Sequence, residues 1–296
     1  MWTGAGRRRS LWIVRLRGVG STAYAGVMAT SAGRPAAFFD LDKTIIAKSS
    51  TLAFSKSLFA EGLLSRRAVL RSAYAQLVFS TGGATHEMLE KMREEISSLV
   101  TGWDVVTVRQ IVREALHDVI EPLVYTEALD LIEEHREAGH DVVIVSASGE
   151  EMVEPIARML GARHAIATRL EEVDGKYSGR ILHYAYGPNK VTAMKELAER
   201  EGYDLSRSFG YSDSETDIPM LEAVGHPFAV NPDKGLRRKA TEEGWPILTF
   251  ERPTALRSRL VPESTAGKAA ALGGVAASVS LVALGISAAI RRRSRS

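Results

Sequence analysis

Two hydrophobic rhythms alternate along this chain. Residues 36–40, AAFFD, form a short apolar run ended by an acid, the pattern of a buried strand. From 50 to 120 the apolar positions recur at helical spacing with almost no strand signal. That spacing predicts four helices, near 50–62, 65–80, 85–100 and 104–119. Thr85 and Asp104 are placed to cap the third and fourth, and Gly82-Gly83 and Thr101-Gly102 punctuate between them. Beyond 124 helices and strands take turns. TEALDLIEEHREAGH reads as a helix stopped by Gly139, DVVIVSAS as a buried strand entering a small-residue turn, and EEMVEPIARMLGA as a helix. RHAIATRLEEVDGKYSGRI reads as two or three short strands turning at Asp174-Gly175. KVTAMKELAEREG is a helix, SRSFGYSD a strand and TDIPMLEAVG a helix, with two further strands at PFAV and PILTF. Strands alternating with helices imply the α/β class, a doubly wound parallel sheet with helices on both faces. Its core comprises 34–48 and 122–250, interrupted by an all-helical insertion over 49–121.

The two ends follow other patterns. Residues 1–33 are Arg-rich and acid-free, and Arg15 and Arg17 break the apolar stretch that a secretory signal needs. They read as a disordered arm or leader, with Met28 as an alternative start. Residues 251–268 read as a linker. Residues 269–290 then carry no charge, and 22 helical residues span roughly 33 Å, enough for a hydrocarbon core of about 30 Å. This is a transmembrane helix candidate, followed by a basic tail at 291–296. Ala270, Gly274 and Ser278 stand four apart, a small-residue face suited to a weak homodimer through that helix. Both flanks of the span are basic, so the positive-inside rule hardly discriminates. Without a convincing signal peptide, the expectation is a membrane-anchored protein with its catalytic domain on the cytoplasmic side.

Charge sharpens the division between body and ends. Eleven of the 38 basic residues lie in 1–39 and 264–296, which hold no acid. The body between keeps 27 basic residues against all 36 acidic ones, a net of −9. An acidic body without a basic stripe argues against nucleic acid as a partner. The chain has no cysteine, which excludes disulfides, thiolate metal sites and thiol nucleophiles. His86, His117, His135, His140, His164, His183 and His226 share no metal-ligand spacing and read as structural or surface residues.

Chemistry gathers where apolar runs end. In parallel sheets ligands bind at the carboxyl ends of strands. The first strand ends DLDKT, the next VVIVSAS, and the last relevant one YSDSETD; Gly187-Pro188-Asn189-Lys190 opens a helix between them. Asp40, Asp42, Asp213 and Asp217 would converge on one edge. Such a cluster repels itself unless a hard cation with oxygen ligands resolves the conflict, and few protein ligands favour Mg²⁺. A lysine and a hydroxyl on neighbouring strand ends suit a phosphate. The composite is a phosphoryl-transfer site.

These motifs, in this order over about residues 36–232, resemble those of the haloacid dehalogenase superfamily of phosphatases. The helical insertion after the first motif resembles the cap of the branch that contains phosphoserine phosphatases. The resemblance implies that Asp40 attacks phosphorus and becomes an aspartyl-phosphate. It implies that Asp42 is the acid and then the base, with its backbone carbonyl on Mg²⁺. Thr44 would support the turn and the Asp42 pair at the phosphate end, Ser146 and the Ala147 N–H would bind the phosphate, and Lys190 would neutralise it. Asp213 would ligate Mg²⁺ directly, and Asp217 would do so through water or from behind.

Asp42 separates this chain from dehalogenases, which lack a second acid there. The expected activity is hydrolysis of a small phosphorylated metabolite or lipid phosphate, with phosphotransfer or a non-catalytic membrane-anchored role as the alternatives. Ser49 stands where the phosphoserine branch carries a glutamate nine residues after the nucleophile; for its cap arginine, Arg93 in roughly the corresponding helix is one of several basic candidates. Phe54, Phe59, Tyr74 and Phe79 could line an apolar groove in the insertion, though such spacing more often marks a core.

Overall fold

Strand β1 (Ala36–Asp40) is buried at every position, because it lies at the middle of the sheet with helices on both sides. Its side chains divide by parity. Ala37 and Phe39 enter one hydrophobic cluster and Ala36 and Phe38 the other. The structure, a computed structural model, describes residues 33–64, 93–94, 96–251 and 253. All but the last residue of the expected leader over 1–33, the second helix of the insertion with Tyr74 and Phe79, most of the third, and the uncharged run with its basic tail lie outside the described residues. Among the described residues no helix is long and apolar enough to cross a membrane.

After β1 come helix α1 (Ser50–Ala60) and helix α2 (Val105–Val119), the first and fourth helices expected of the insertion. Helical backbone also runs through 93–94 and 96–100. Asp104 caps α2, its carboxylate accepting the Thr107 N–H at 2.7 Å. The core then follows: α3 (Thr126–Glu137), β2 (Asp141–Gly149), α4 (Glu150–Met159), β3 (His164–Val173), β4 (Lys176–His183), α5 (Pro188–Glu201), β5 (Phe209–Ser212), α6 (Ile218–Glu222), β6 (His226–Val230), α7 (Lys234–Glu243) and β7 (Ile247–Leu248).

The seven strands lie in the order β4-β3-β2-β1-β5-β6-β7. All neighbours are parallel except β3 and β4. That exception corrects the expectation of a wholly parallel sheet. Asp174 and Gly175 both take positive φ, 50° and 75°, so a two-residue turn folds β4 straight back on β3. The buried residues of α1 and α2, such as Phe54, Leu58, Ile111 and Val112, belong to the same cluster as Phe39 and Ile144 of the sheet. The insertion is therefore packed on the core by apolar contact.

Candidate active site

The strand order reverses at β1. The chain runs outward through β2 and β3 on one side, then returns to place β5 on the other. Loops leave such a point in opposite directions and open a crevice at the carboxyl ends of the strands. Asp40 is the last residue of β1, Ser146 lies where the β2–β3 ladder loses register between Val145 and Gly149, and Asp213 follows β5 directly. All three line one cavity of about 240 Å³, together with Asp42, Lys43, Ser49, Ala147, Tyr186, Lys190 and Asp217.

Asp40 is held at both oxygens. Lys190 Nζ donates to Oδ1 at 2.8 Å, and Thr44 Oγ1 donates to Oδ2 at 3.2 Å. Lys190 also donates to Asp217 Oδ2 at 2.8 Å, and Ser212 Oγ donates to that same oxygen at 2.7 Å. Local chain geometry aims the lysine. Gly187 sits at φ 52°, ψ −127°, a conformation that needs glycine, and Pro188 then opens α5 at a position where its missing N–H is no loss. Asp217 thus accepts from the lysine that holds Asp40. Thr44 differs from the expectation. It is fully buried and braces Asp40 itself, instead of facing phosphate or Asp42.

Asp42 is fixed by two hydroxyl-bearing residues. The Ser50 N–H donates to its Oδ1 at 2.7 Å, and Ser148 Oγ donates to its Oδ2 at 3.1 Å. Ser50 Oγ lies 2.8 Å from Ser148 Oγ, which closes the triangle. The first residue of α1 and the last turn of β2 therefore hold one carboxylate between them. Ser148 belongs to the small-residue turn that the sequence places after the strand, and Ser50 opens α1; their pairing with Asp42 is visible only in the fold. Ser146 Oγ accepts the Ser148 N–H at 3.2 Å and still lines the cleft.

Burial drives the electrostatics. It raises the pKa of Asp40, against the pull of Lys190 and with a further push from Asp217. Burial also raises Asp213, and Asp40 raises it further. Asp42 is raised by burial, while its hydrogen bonds from Ser50 and Ser148 oppose the shift. Burial works against the charge on Lys190, but Asp217 and Asp40 outweigh it and hold the ammonium above its ordinary pKa. Two lysines, Lys190 and Lys43, thus share the cavity with six carboxyl groups, and acidic groups are in surplus there.

That surplus fits a divalent cation. Asp40, Asp42 and Asp213 border one cavity and bring hard oxygen donors to it. Among the described residues no three acidic or imidazole side chains stand close enough to hold a metal by themselves. A site with two carboxylates leaves room for water or phosphate oxygens, which suits Mg²⁺.

Comparisons with known proteins show the family and the fold. The family profile described as haloacid dehalogenase-like hydrolase matches residues 37–222. A Mycobacterium tuberculosis protein named a probable phosphatase is 56% identical over 261 residues, covering 88% of this chain and 90% of its own length. A phosphoserine phosphatase of the same organism is 35% identical over 244 residues, covering 82% and 79%. A solved phosphoserine phosphatase carrying a phospho-aspartyl intermediate analogue superposes with a TM-score of 0.53. It covers 77% of this chain and 98% of that one at 21% identity, a likeness of fold alone.

Proposed function

This chain belongs to the haloacid dehalogenase-like hydrolases and is a phosphatase, and within that family we propose that it is an Mg²⁺-dependent phosphomonoesterase working through an aspartyl-phosphate on Asp40. Its substrate would be a small phosphorylated metabolite or a lipid phosphate. One observation carries the reading. Asp40, at the end of the central strand, is clamped at 2.8 Å by a buried lysine, while a second carboxylate two residues on is fixed independently.

The residues divide the labour. An Asp40 oxygen attacks phosphorus in line, and the bond to the leaving alcohol breaks. Asp42, protonated at that moment, gives its proton to the leaving oxygen. Its raised pKa favours the protonated form that this step needs. The same group, now a carboxylate, takes a proton from the water that splits the acyl-phosphate, returning Asp40 and releasing inorganic phosphate. Lys190 offsets charge on the phosphoryl oxygens and keeps Asp40 oriented, and Ser146 and the Ala147 N–H border the same cavity. Asp40, Asp213 and the Asp42 carbonyl would hold Mg²⁺, which when bound supplies positive charge to the transferring phosphoryl group. The helical insertion would act as a cap that limits water at the site.

Phosphate release by the full chain from a panel of phosphomonoesters tests the proposal. Turnover should disappear with a chelator and drop at least about a thousandfold in Asp40→Asn. A hydroxylamine-labile phosphoenzyme should form in the wild type alone. Turnover that survives Asp40→Asn would sink the mechanism.

A further inference from the structure

A second cavity opens beside the cleft. It measures about 180 Å³ and meets the catalytic cavity at Ala147, which lines both. Its walls come from the insertion and the core together: Leu58 of α1, Leu99, Trp103, Val112 of α2, Met152 of α4 and Leu170 of β3. Ser148, the hydroxyl that holds Asp42, stands at the junction. The chamber therefore begins where the leaving oxygen of a substrate must receive its proton. Whatever that oxygen is attached to has this chamber as its neighbour.

The lining is apolar, and among the described residues no cationic side chain borders it. An amino-acid carboxylate would find no charge partner there, and its desolvation would count against it. Six polar side chains interrupt the surface, the hydroxyls of Thr51, Ser55, Ser148 and Thr168 and the neighbours Tyr177 and Glu151. The Tyr177 hydroxyl is buried and closes no hydrogen bond of ordinary length, with the Glu151 carboxylate beside it. Glu151 is itself buried, with Arg109 at 3.8 Å its one ion-pair partner among the described residues. The phenol can donate to only one lone pair of that carboxylate, so Glu151 keeps acceptor capacity in an apolar wall for a donor on the guest. The volume limits the guest as well, since an apolar cavity of about 150 Å³ holds one benzene ring.

We propose that this chamber seats the alcohol half of the substrate, so that the preferred substrates are phosphomonoesters of alcohols with a compact apolar body of about one ring, bearing a single hydrogen-bond donor for Glu151. The assignment rests on the phosphatase reading above and narrows it. It sets a polar amino-acid ester and a long acyl chain equally outside the best range.

Two measurements on the full chain decide it. The first ranks kcat/KM for benzyl phosphate, phosphoserine, 2-hydroxyethyl phosphate and dodecyl phosphate. Benzyl phosphate should lead each of the others at least tenfold. Phosphoserine or dodecyl phosphate at or above benzyl phosphate would overturn the proposal and leave the phosphatase intact. The second is calorimetric binding of benzylphosphonate and methylphosphonate, which needs no turnover. Benzylphosphonate should bind at least tenfold tighter, and Val112→Trp should erase the difference. Should that variant fail to fold, Trp103→Ala should shift the preference toward naphthylmethylphosphonate. Equal binding of the two phosphonates would overturn the chamber. A tenfold preference without turnover of any ester would keep the chamber and remove the phosphatase reading. For the donor, 4-(aminomethyl)benzyl phosphate should outrank benzyl phosphate about fivefold, and Glu151→Gln with Tyr177→Phe should cancel that gain. No advantage in the wild type would overturn that part.

Discussion

Two buried polar clusters flank the central strand, and they solve the same problem in opposite ways. At the carboxyl edge, Lys190 is almost wholly buried yet charged, with Asp40 and Asp217 each 2.8 Å from its ammonium. Under the sheet, His135 of α3 is equally buried but among the described residues its hydrogen-bond partners are neutral, Tyr211 Oη at 2.8 Å and His140 Nδ1 at 2.9 Å. Aromatic rings surround it, with Phe209 at 4.7 Å and Phe39 at 5.9 Å between centroids. Burial lowers its pKa to about 3, and His140 pushes it the same way. Depth is therefore not what decides ionisation; partners are. A charge persists in the interior only where opposite charges are already fixed, and it is there that the interior can polarise a substrate. The uncharged cluster fills space and satisfies its polar atoms.

The largest expected effect comes from removing the cation from the charged cluster. Lys190→Met would leave Asp40 and Asp217 buried without their common partner. A broken buried pair typically costs about 3–5 kcal/mol. Urea unfolding should read that loss, and turnover should fall at least about a hundredfold as the phosphoryl charge goes unmet. A stability change below about 1 kcal/mol would mean that the two carboxylates simply take up protons, and the contrast drawn between the clusters would fail. The same change made in the neutral cluster, His135→Leu, should leave turnover close to wild type, because no group there touches the cleft.

Much of the charged cluster can be read in the sequence. Asp40, Asp42 and Asp213 each follow an apolar run, and Lys190 follows a Gly-Pro helix start, so spacing alone brings them to one edge. The neutral cluster carries no such punctuation. His135 and Tyr211 are 76 residues apart and meet only because α3 packs on the face that β1 and β5 share. The clasp on Asp42 is hidden for the same reason, with Ser50 and Ser148 98 residues apart. The apolar chamber draws on several separate segments with no common period. Of the aromatics that spacing offered for it, Phe54 is in the core and Phe59 is 40% exposed, while Trp103 lines the chamber instead. The hairpin of β3 and β4 shows a further limit. Its Asp-Gly turn is written in the chain, but the rule that alternating helices and strands give a parallel sheet says nothing of an added edge strand.

The smallest effect is also the most specific to the neutral cluster. A histidine whose folded pKa lies near 3 refuses the proton that the unfolded chain accepts below about 6.5. Its contribution to stability is thus complete above 6.5 and is lost as pH falls from there toward the folded value. The slope is at most about 1.4 kcal/mol per pH unit. The raised carboxylates of the cleft act with the opposite sign over part of that range, since the folded state keeps their protons longer than the unfolded chain does. The raw stability curve therefore mixes the two clusters. Subtracting the curve of His135→Gln isolates the histidine, because both proteins share the same cleft. Between pH 8 and 7 the difference should be flat. From pH 6.5 to 5 the wild type should lose ground to the variant by about 1–1.4 kcal/mol per unit. Parallel curves throughout would mean that His135 accepts a proton in place, and that neutral partners suffice to hold a charge in this interior.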